Sequence, residues 1–422
     1  MLLEFSVANY RSIKDRVTIS MVAANDAEHQ ENTFVTQEAG KLSLLKSAGI
    51  YGANASGKSN LINALIFMER FVRTSASKSQ EGDPIDVTPF KLDAQTATQP
   101  SEFEVVFMID DERYVYGLTA DSTRVHEEWL TVTKRKPRLL FRRSLDNGIE
   151  YGDSWKGDKE KIAQLTRPNA LFLSVAAQFN HPMTKVAFDW FKDNVSTIAS
   201  RSTIDFHETT KKMMEEDGFI EKLNEFVQVA DIGISRVFFE KNSLYESDAW
   251  AGFSNETKLR VGEYVREISP GYHAGVKSPQ IKTVHRMSDG SETTFDLKEE
   301  SLGTQRLFAL IGTWYEVVKD NRILIIDEME TSFHPLITQF LLGMVHQSAA
   351  AQLIFTTHDA TLLDADIFRR DQVWFIEKDT SGASRISSLW DYKVRKEENF
   401  RLGYLKGRYG AIPFIGECDF GK

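Results

Sequence analysis

The sequence is short of the features that mark secreted and membrane proteins. It contains one cysteine, Cys418, so no disulfide can form within the chain. No stretch approaches the roughly 18 consecutive apolar residues that a membrane-spanning helix needs. The first residues, MLLEFSVANYRSIKD, lack the apolar run and the small-residue cleavage site of a signal peptide. These absences predict a cytoplasmic protein that makes no contact with a membrane.

The chain also lacks an excess of positive charge. Its 51 Lys and Arg residues face 61 Asp and Glu residues, which leaves a formal net charge of −10. The molecule as a whole therefore does not attract polyanions, and contact with nucleic acid would require local basic patches. In contrast, 41% of its 422 residues are hydrophobic and 28 are phenylalanine. This composition can bury a large core and suggests two or three domains.

Hydrophobic periodicity predicts an α/β fold. Apolar residues alternate with polar ones in the first 21 residues, and β-branched and aromatic residues are abundant in 102–119 and 125–143, which indicates antiparallel strands. From 304 onward, helical segments alternate with apolar strands at 323–326 and 353–357, which indicates a parallel-rich sheet. We therefore expect a mixed sheet that joins antiparallel N-terminal strands to a parallel core, interrupted by a long α+β insertion.

A glycine-rich loop carries the strongest chemical signal. The segment GANASGKS, residues 52–59, fits the pattern G-x-x-x-x-G-K-[ST] and lies between an apolar strand and a helix. Its backbone N–H groups would surround phosphate oxygens, Lys58 would reach the β- and γ-phosphates, and the Ser59 hydroxyl would bind Mg²⁺. The predicted nucleotide-binding residues here are Gly52, Ala53, Asn54, Ala55, Ser56, Gly57, Lys58, Ser59 and Asn60. The implied cofactors are ATP and Mg²⁺.

Two acidic residues follow the apolar strand ILII. Carboxylates at the C-terminal end of a parallel strand lie where open α/β folds place their ligands. Asp327 would hold the magnesium shell, while Glu328 would polarise the attacking water. The alternative is an acidic pair that only favours a helix start.

His358 ends the next predicted strand, in FTTHD, 31 residues after Asp327. If the two strands are adjacent and parallel, both residues lie at one edge of the sheet. A neutral imidazole there would bond to the γ-phosphate or to the water and so sense the terminal phosphate. The alternative is an exposed loop histidine.

Together, GANASGKS, ILIIDE and TTHD resemble the ABC-type ATPases of the SMC, RecF and OLD-like group, and LLEFSVANYRSIKD is similar to that group's opening strands. The resemblance implies a split ATPase domain (1–72 and 280–390), an α+β insertion (73–279) that is partly antiparallel strands of the ATPase lobe and partly helical, and a C-terminal segment (391–422). It also implies a dimer that sandwiches nucleotide.

The resemblance assigns roles to further residues. The segment ESLGTQR lies where the group has its signature motif, with Thr304 in place of the usual second glycine. Ser301, Gly303 and Gln305 would thus meet nucleotide bound by a second protomer; alternatively, Ser301 is an ordinary helix cap. Gln178, in LFLSVAAQFN, would be the Q-loop residue near Mg²⁺. The alternative is an ordinary glutamine that follows a strand.

The compact arrangement also resembles ATPase components of bacterial anti-phage modules, of the Rlo and abortive-infection type. That resemblance implies a sensor or regulator of a separate, nuclease-like effector. A RecF-like DNA-repair ATPase is the alternative, while the ATPase of a transporter and an AAA+ ring motor fit the motifs less well. The C-terminal tail, basic and aromatic around Arg395, Lys396, Arg401, Lys406 and Arg408, either contacts nucleic acid or a partner, or packs on the domain.

Overall fold

The structure, a computed structural model, describes residues 1–36, 41–157, 159–199, 204, 206–230, 233–243, 277–331, 333–392, 394 and 398–413. The chain divides into two compact units. The first contains Met1–Ser202 and Glu316–Lys422, and the second contains Thr203–Tyr315.

The first unit contains two large sheets and the helices that cover them. Its N-terminal part has these elements: β1 (Leu2–Ala8), β2 (Val17–Ser20), β3 (Thr33–Val35), β4 (Ser43–Leu45), β5 (Ser47–Tyr51), α1 (Lys58–Thr74), β6 (Ser101–Ile109), β7 (Glu112–Ala120), β8 (Val125–Thr133), β9 (Pro137–Ser144), β10 (Gly148–Tyr151), α2 (Lys159–Leu165), α3 (Phe172–Gln178), α4 (Pro182–Asn194) and β11 (Val195–Ile198).

The remaining elements belong to the second unit and to the C-terminal part of the first unit, Glu316–Lys422. They are α5 (His207–Glu215), α6 (Phe219–Val229), β12 (Arg236–Ser243), β13 (Lys277–Arg286), β14 (Glu292–Asp296), α7 (Leu302–Asp320), β15 (Ile323–Ile326), α8 (Pro335–Gln347), β16 (Gln352–Thr356), β17 (Val373–Lys378), β18 (Ser384–Ser388) and α9 (Phe400–Leu405).

The first sheet is antiparallel, with seven strands in the order β10-β9-β8-β7-β6-β1-β2. The alternation that predicted β1 and β2 sets their register, with Phe5 opposite Ile19. Both of these side chains are buried in the core. One face of the sheet is therefore apolar, as alternating strands require.

The second sheet has six strands in the order β11-β15-β16-β5-β17-β18. All of its pairings are parallel except that of β17 with β18. All five residues of β5 and all four of β15 are buried, as expected for strands covered on both faces. The predicted antiparallel strands and parallel core are confirmed, and they form two sheets instead of one mixed sheet.

Helix α1 places the glycine-rich loop against this framework. Leu61, Leu65, Met68 and Val72 are buried at the predicted helical spacing. They belong to a core cluster that also contains residues of both sheets, such as Phe5 and Ile325. Because α1 packs so extensively, the loop before it has a rigid support.

The second unit has its own packing. Thr209 on α5 donates its hydroxyl to the carbonyl of Phe308, 2.5 Å away, and accepts the Gly312 N–H at 3.0 Å. A Cβ on Gly312 would lie 2.6 Å from the Thr209 nitrogen, so glycine permits this close approach of α5 and α7. The antiparallel sheet β12-β13-β14 completes the unit.

The second unit, Thr203–Tyr315, includes the C-terminal part of the predicted insertion, 73–279, and extends beyond its end. Residues 73–202 belong to the first unit, because β6 to β10 extend the sheet that β1 and β2 begin. The predicted edge at 280 falls inside β13. Among the described residues, no helix has the length and apolar character needed to cross a membrane.

Candidate nucleotide-binding site

The loop between β5 and α1 owes its tight course to its glycines. Gly57 has a φ of 116°, in the left-handed region. A Cβ on Gly57 would lie 2.2 Å from Ser384 Oγ, and a Cβ on Gly52 would lie 2.3 Å from the carbonyl oxygen of Ile376. Any larger residue would force the loop open. The loop leads directly into the N-terminus of α1, where free N–H groups favour an anion.

Three polar side chains outside the motif hold the loop in place. The buried Ser384 hydroxyl donates to the carbonyl of Ser56 at 2.6 Å and lies 2.8 Å from Ser12 Oγ. Asn60 also donates to Ser12 Oγ, at 2.7 Å. Ser12 and Ser384 come from opposite ends of the chain, and no motif points to either of them.

Lys58 is the first residue of α1 and is only 4% exposed. Its ammonium donates to the carbonyl oxygens of Gly52, at 2.7 Å, and Ala53, at 3.0 Å. Burial lowers the pKa of Lys58 to about 8, and nearby carboxylates, Glu330 foremost, act in the opposite direction. A buried cation of this kind is suited to an anionic ligand.

Asp327 and Glu328 follow β15, as predicted, and one threonine of the adjacent strand holds both. The buried Thr356 hydroxyl donates to Asp327 Oδ1 at 2.6 Å and accepts the Glu328 N–H at 2.8 Å. Glu328 has a φ of 54°, a left-handed conformation that is uncommon outside glycine. Such strain is often found at functional sites, where surrounding bonds maintain it.

His358 lies beside Lys58. Its Nδ1 is 3.3 Å from the lysine ammonium, and its backbone N–H donates to Glu330 Oε1 at 2.5 Å. Burial and then the Lys58 charge lower the pKa of His358, which favours the neutral ring. Since an ammonium can only donate, Nδ1 accepts and the ring proton is on Nε2. The imidazole therefore offers one N–H donor.

Lys58, Glu328 and His358 line one cavity of about 760 Å³, within the range of ligand pockets, whereas the predicted residues Gly52, Ala53 and Asp327 do not line it. Its lining residues are Asn54, Ala55, Ser56, Gly57, Lys58, Ser59, Asn60, Glu328, Glu330, Thr331, His358 and Lys378. β15 and β16 are adjacent and parallel, so their C-terminal ends converge here. Glu330, Thr331 and Lys378 are not among the predicted site residues.

The residues present fit a magnesium ion that is held mainly by its nucleotide. The Ser59 hydroxyl lines the cavity, and the Asp327 carboxylate follows the end of β15. Mg²⁺ commonly takes one or two protein oxygens and completes its shell with phosphates and water. Within the part of the chain that the structure describes, no group of three or more His, Cys, Asp or Glu residues is arranged to bind a metal.

Gln178 does not lie in this cavity. It is the exposed last residue of α3, whose preceding residues are buried in the core. The glutamine was predicted from its place after an apolar segment, but that segment is a buried helix and not a strand leading to the site. The structure therefore does not bring Gln178 beside Ser59.

The predicted signature residues Ser301, Gly303 and Gln305 belong to the second unit. Ser301 Oγ accepts the Thr304 N–H at 3.1 Å, so within one chain it acts as a helix cap. Gln305 donates to the carbonyl of Glu300 at 2.8 Å. Their contact with nucleotide on a second protomer stays a prediction.

The C-terminal segment packs on the parallel sheet. Tyr404 and Tyr409 stack on Phe375 of β17, with ring centroids 5.5 and 5.2 Å away. Of the predicted basic residues, Arg401 and Lys406 are exposed, Arg408 pairs with Glu398, and Arg395 and Lys396 lie outside the described residues. Cys418 lies outside them too.

A glycine-rich loop before a helix, an acidic strand end and a histidine on the adjacent strand define a P-loop nucleotide-binding protein. The chain belongs to the family described as "AAA domain, putative AbiEii toxin, Type IV TA system", whose profile matches residues 47–364. This match confirms the resemblance to ATPases of the abortive-infection type.

Solved structures of SMC heads are similar to this chain at low sequence identity. One is "Crystal structure of the SmcHead bound to the C-winged helix domain of ScpA", with 11% identity, 92% of this chain and 97% of that chain covered, and a TM-score of 0.42. The SMC head domain from Thermotoga maritima has 11% identity, coverage of 92% and 98%, and a TM-score of 0.39. No curated protein matches this chain.

Proposed function

We propose that the protein binds and hydrolyses ATP, forms nucleotide-sandwich dimers, and acts as a sensor or regulator of a separate effector in bacterial anti-phage defence. One observation carries the enzymatic part. Lys58 begins α1, Glu328 follows β15 and His358 follows β16, and all three line the same cavity.

Each side chain has a role that follows from its position. Lys58 and the loop N–H groups would hold the phosphates, and Ser59 and Asp327 would hold Mg²⁺, which neutralises phosphate charge. Glu328 lines the cavity and would accept a proton from the attacking water. The Nε2–H group of His358 would donate a hydrogen bond to the terminal phosphate. The imidazole would thereby distinguish ATP from ADP.

The sandwich dimer depends on the signature segment. Ser301 and the neighbouring Leu302 are exposed, the latter at 66% of its surface, so both are accessible to a second protomer. Ser301, Gly303 and Gln305 would contact the nucleotide held by the partner protomer. ATP would thus close the dimer and hydrolysis would reopen it.

Glu328→Gln tests the enzymatic proposal. Glutamine keeps the size of the side chain but is a poor proton acceptor, so we expect unchanged ATP binding, hydrolysis slowed at least about 100-fold, and a trapped dimer. Fluorescent ATP binding, phosphate release and light scattering measure the three quantities. The exposed Glu81 provides the matched control, Glu81→Gln, which should behave as wild type.

A second substitution separates dimer closure from chemistry. In the Glu328→Gln background, Ser301→Arg should prevent the ATP-dependent dimer and leave ATP bound to the monomer. A dimer that still closes would refute the contact across the dimer. Normal hydrolysis by Glu328→Gln alone would refute the assignment of the base.

The family description also supports a second candidate: the chain itself could be the toxin of a toxin–antitoxin pair. Expression of the wild-type chain in bacteria distinguishes the two proposals. If growth stops without any neighbouring gene, the chain is the toxic component. If arrest requires a co-expressed neighbour that co-purifies with the chain, the regulator role is supported.

Hydrolysis stimulated by DNA and suppressed by salt would favour the repair alternative.

A further inference from the structure

The geometry points to a positioning residue that is not among the predicted site residues: we infer that Glu330 holds His358 in its productive place for ATP hydrolysis. This inference rests on the proposed function and adds a residue to its site. Glu330 lines the cavity next to His358, and its carboxylate bonds to the histidine backbone and not to the ring.

The bond between Glu330 and His358 spans the ends of two strands. Glu330 follows β15 and His358 follows β16, and Glu330 Oε1 accepts the His358 N–H at 2.5 Å. On its other side, the imidazole Nδ1 meets Lys58 at 3.3 Å. A charge-assisted bond to the main chain fixes the Cα position, while the lysine bond fixes the ring. His358 is thereby held at two points.

The same turn carries the proposed base. The Thr331 N–H donates to the Glu328 carbonyl at 3.0 Å, and the Thr331 hydroxyl lies 3.4 Å from Glu328 Oε2. Glu328 and Glu330 are thus two positions of one hydrogen-bonded turn. The Glu330 carboxylate links that turn to the histidine, so it keeps the base and the phosphate-sensing donor in a fixed relation.

The carboxylate of Glu330 is energetically costly where it lies. Its second oxygen, Oε2, is buried and has no hydrogen-bond partner among the described residues. The hydroxyl of Tyr51, a residue only 1% exposed at the end of β5, is likewise buried and unpartnered among them. Buried polar atoms without partners lower stability, so a residue that serves only the fold would be better replaced by an apolar one. A role in the site accounts for the carboxylate.

Three variants test the role. Glu330→Ala removes the acceptor, which frees the His358 backbone, and displacements of about 1 Å can cost about 100-fold in rate. We expect kcat to fall about 10- to 100-fold, with KM for ATP changed by less than about threefold. Glu330→Gln retains a carbonyl oxygen that can accept the same N–H, so it should recover most of the rate. Glu81→Ala, at an exposed glutamate, should match wild type.

A double-mutant cycle assigns the effect to His358. If Glu330 acts through the histidine, adding Glu330→Ala to His358→Ala should slow hydrolysis by less than about twofold beyond His358→Ala alone. Independent, multiplying effects would overturn the inference. So would a Glu330→Gln variant as slow as Glu330→Ala, because the charge and not the acceptor would then matter.

A measurement without ATP separates this inference from the proposed function. The protein has nine histidines, so ¹⁵N-histidine labelling gives few amide signals, and the one lost in His358→Gln identifies His358. A strong bond to Glu330 should place this amide proton downfield. Glu330→Ala should move it upfield, while Glu330→Gln should leave it near its place.

The outcomes are distinct. An unchanged His358 amide in Glu330→Ala overturns the positioning role even if hydrolysis falls. If Glu330→Ala shifts the amide but the wild-type protein does not hydrolyse ATP, the contact between Glu330 and His358 is supported. The proposed function is then refuted instead. Should Glu330→Ala fail to fold, a wild-type His358 amide proton that does not lie downfield still overturns the positioning role.

Discussion

The cavity has two walls that are built in different ways. The phosphate wall is one continuous segment, residues 54–60, at the junction of β5 and α1. The other wall combines Glu328, Glu330 and Thr331 after β15 with His358 after β16. The continuous wall gets its course mainly from local backbone geometry, with support from Ser12 and Ser384, whereas the assembled wall depends on bonds between separate strands. The two walls should therefore respond differently to substitution.

The largest effect should come from the continuous wall. Lys58→Ala removes the buried ammonium that lies beside the loop carbonyls, so phosphate binding loses its main cation. We expect ATP affinity to drop at least about 100-fold, about 3 kcal/mol, and hydrolysis to be undetectable. Isothermal titration with ATP measures the affinity. Lys406→Ala, at an exposed lysine, is the control.

If ATP binding survives Lys58→Ala with less than a fivefold loss, the continuous wall is not the phosphate site.

A smaller effect, and of another kind, should come from the assembled wall. Thr356→Val keeps the shape of the side chain but removes the hydroxyl that joins Asp327 and the Glu328 N–H. The hydrogen-bond loss should cost about 1–3 kcal/mol of folding free energy and lower kcat about tenfold or more, because Glu328 loses its support. Nucleotide affinity without Mg²⁺ should change little.

Thr356→Ser retains the hydroxyl and is the matched control. Calorimetric melting and steady-state kinetics measure the two effects. A loss in Thr356→Ser with none in Thr356→Val would show that the methyl packing matters and not the bond between the strands.

The third effect concerns acid stability and not the site, and it must be separated from the first two in any pH profile. Burial lowers the pKa of His346 to about 4, and its Nε2 lies 2.8 Å from Ser47 Oγ. The folded pKa is below the unfolded value, so the neutral ring stabilises the fold above about pH 6.5. This contribution, up to about 3 kcal/mol, is lost as pH falls from 6.5 towards 4.

Chemical denaturation of the wild type and His346→Gln between pH 4 and 7 measures this slope. The variant should show a shallower dependence on pH, because glutamine does not titrate. Identical slopes would mean that His346 does not control acid stability.

The parts of the fold that could be predicted are those with a strong local pattern. The alternation in β1 and β2, the helical spacing of Leu61 and Leu65, and the apolar strands β15 and β16 all have the predicted type. The boundary of the second unit could not be predicted, since strand segments carry no label for the sheet they join. The resemblance placed some antiparallel strands of 73–279 in the ATPase lobe, and the pairing of β6 with β1 shows which sheet they extend.

The same division holds in the site. Lys58, Glu328 and His358 stand in recognisable motifs, and the structure brings them to one cavity. The roles of Ser384, Thr356 and Glu330 could not be predicted, because a hydrogen bond across 28 residues or more leaves no local pattern. Gln178 shows the reverse error: a plausible residue in a plausible place lies outside the cavity.

By itself, the amino-acid sequence determined the chemistry available to this protein: a glycine-rich phosphate loop, a carboxylate pair and a histidine, each set by residues close together in the chain. The tertiary structure decided which of them meet and what holds them there. The physical reason is range, since backbone preference and periodicity act over a few residues. The bonds of Thr356 and Glu330 exist only after β15 and β16 have paired.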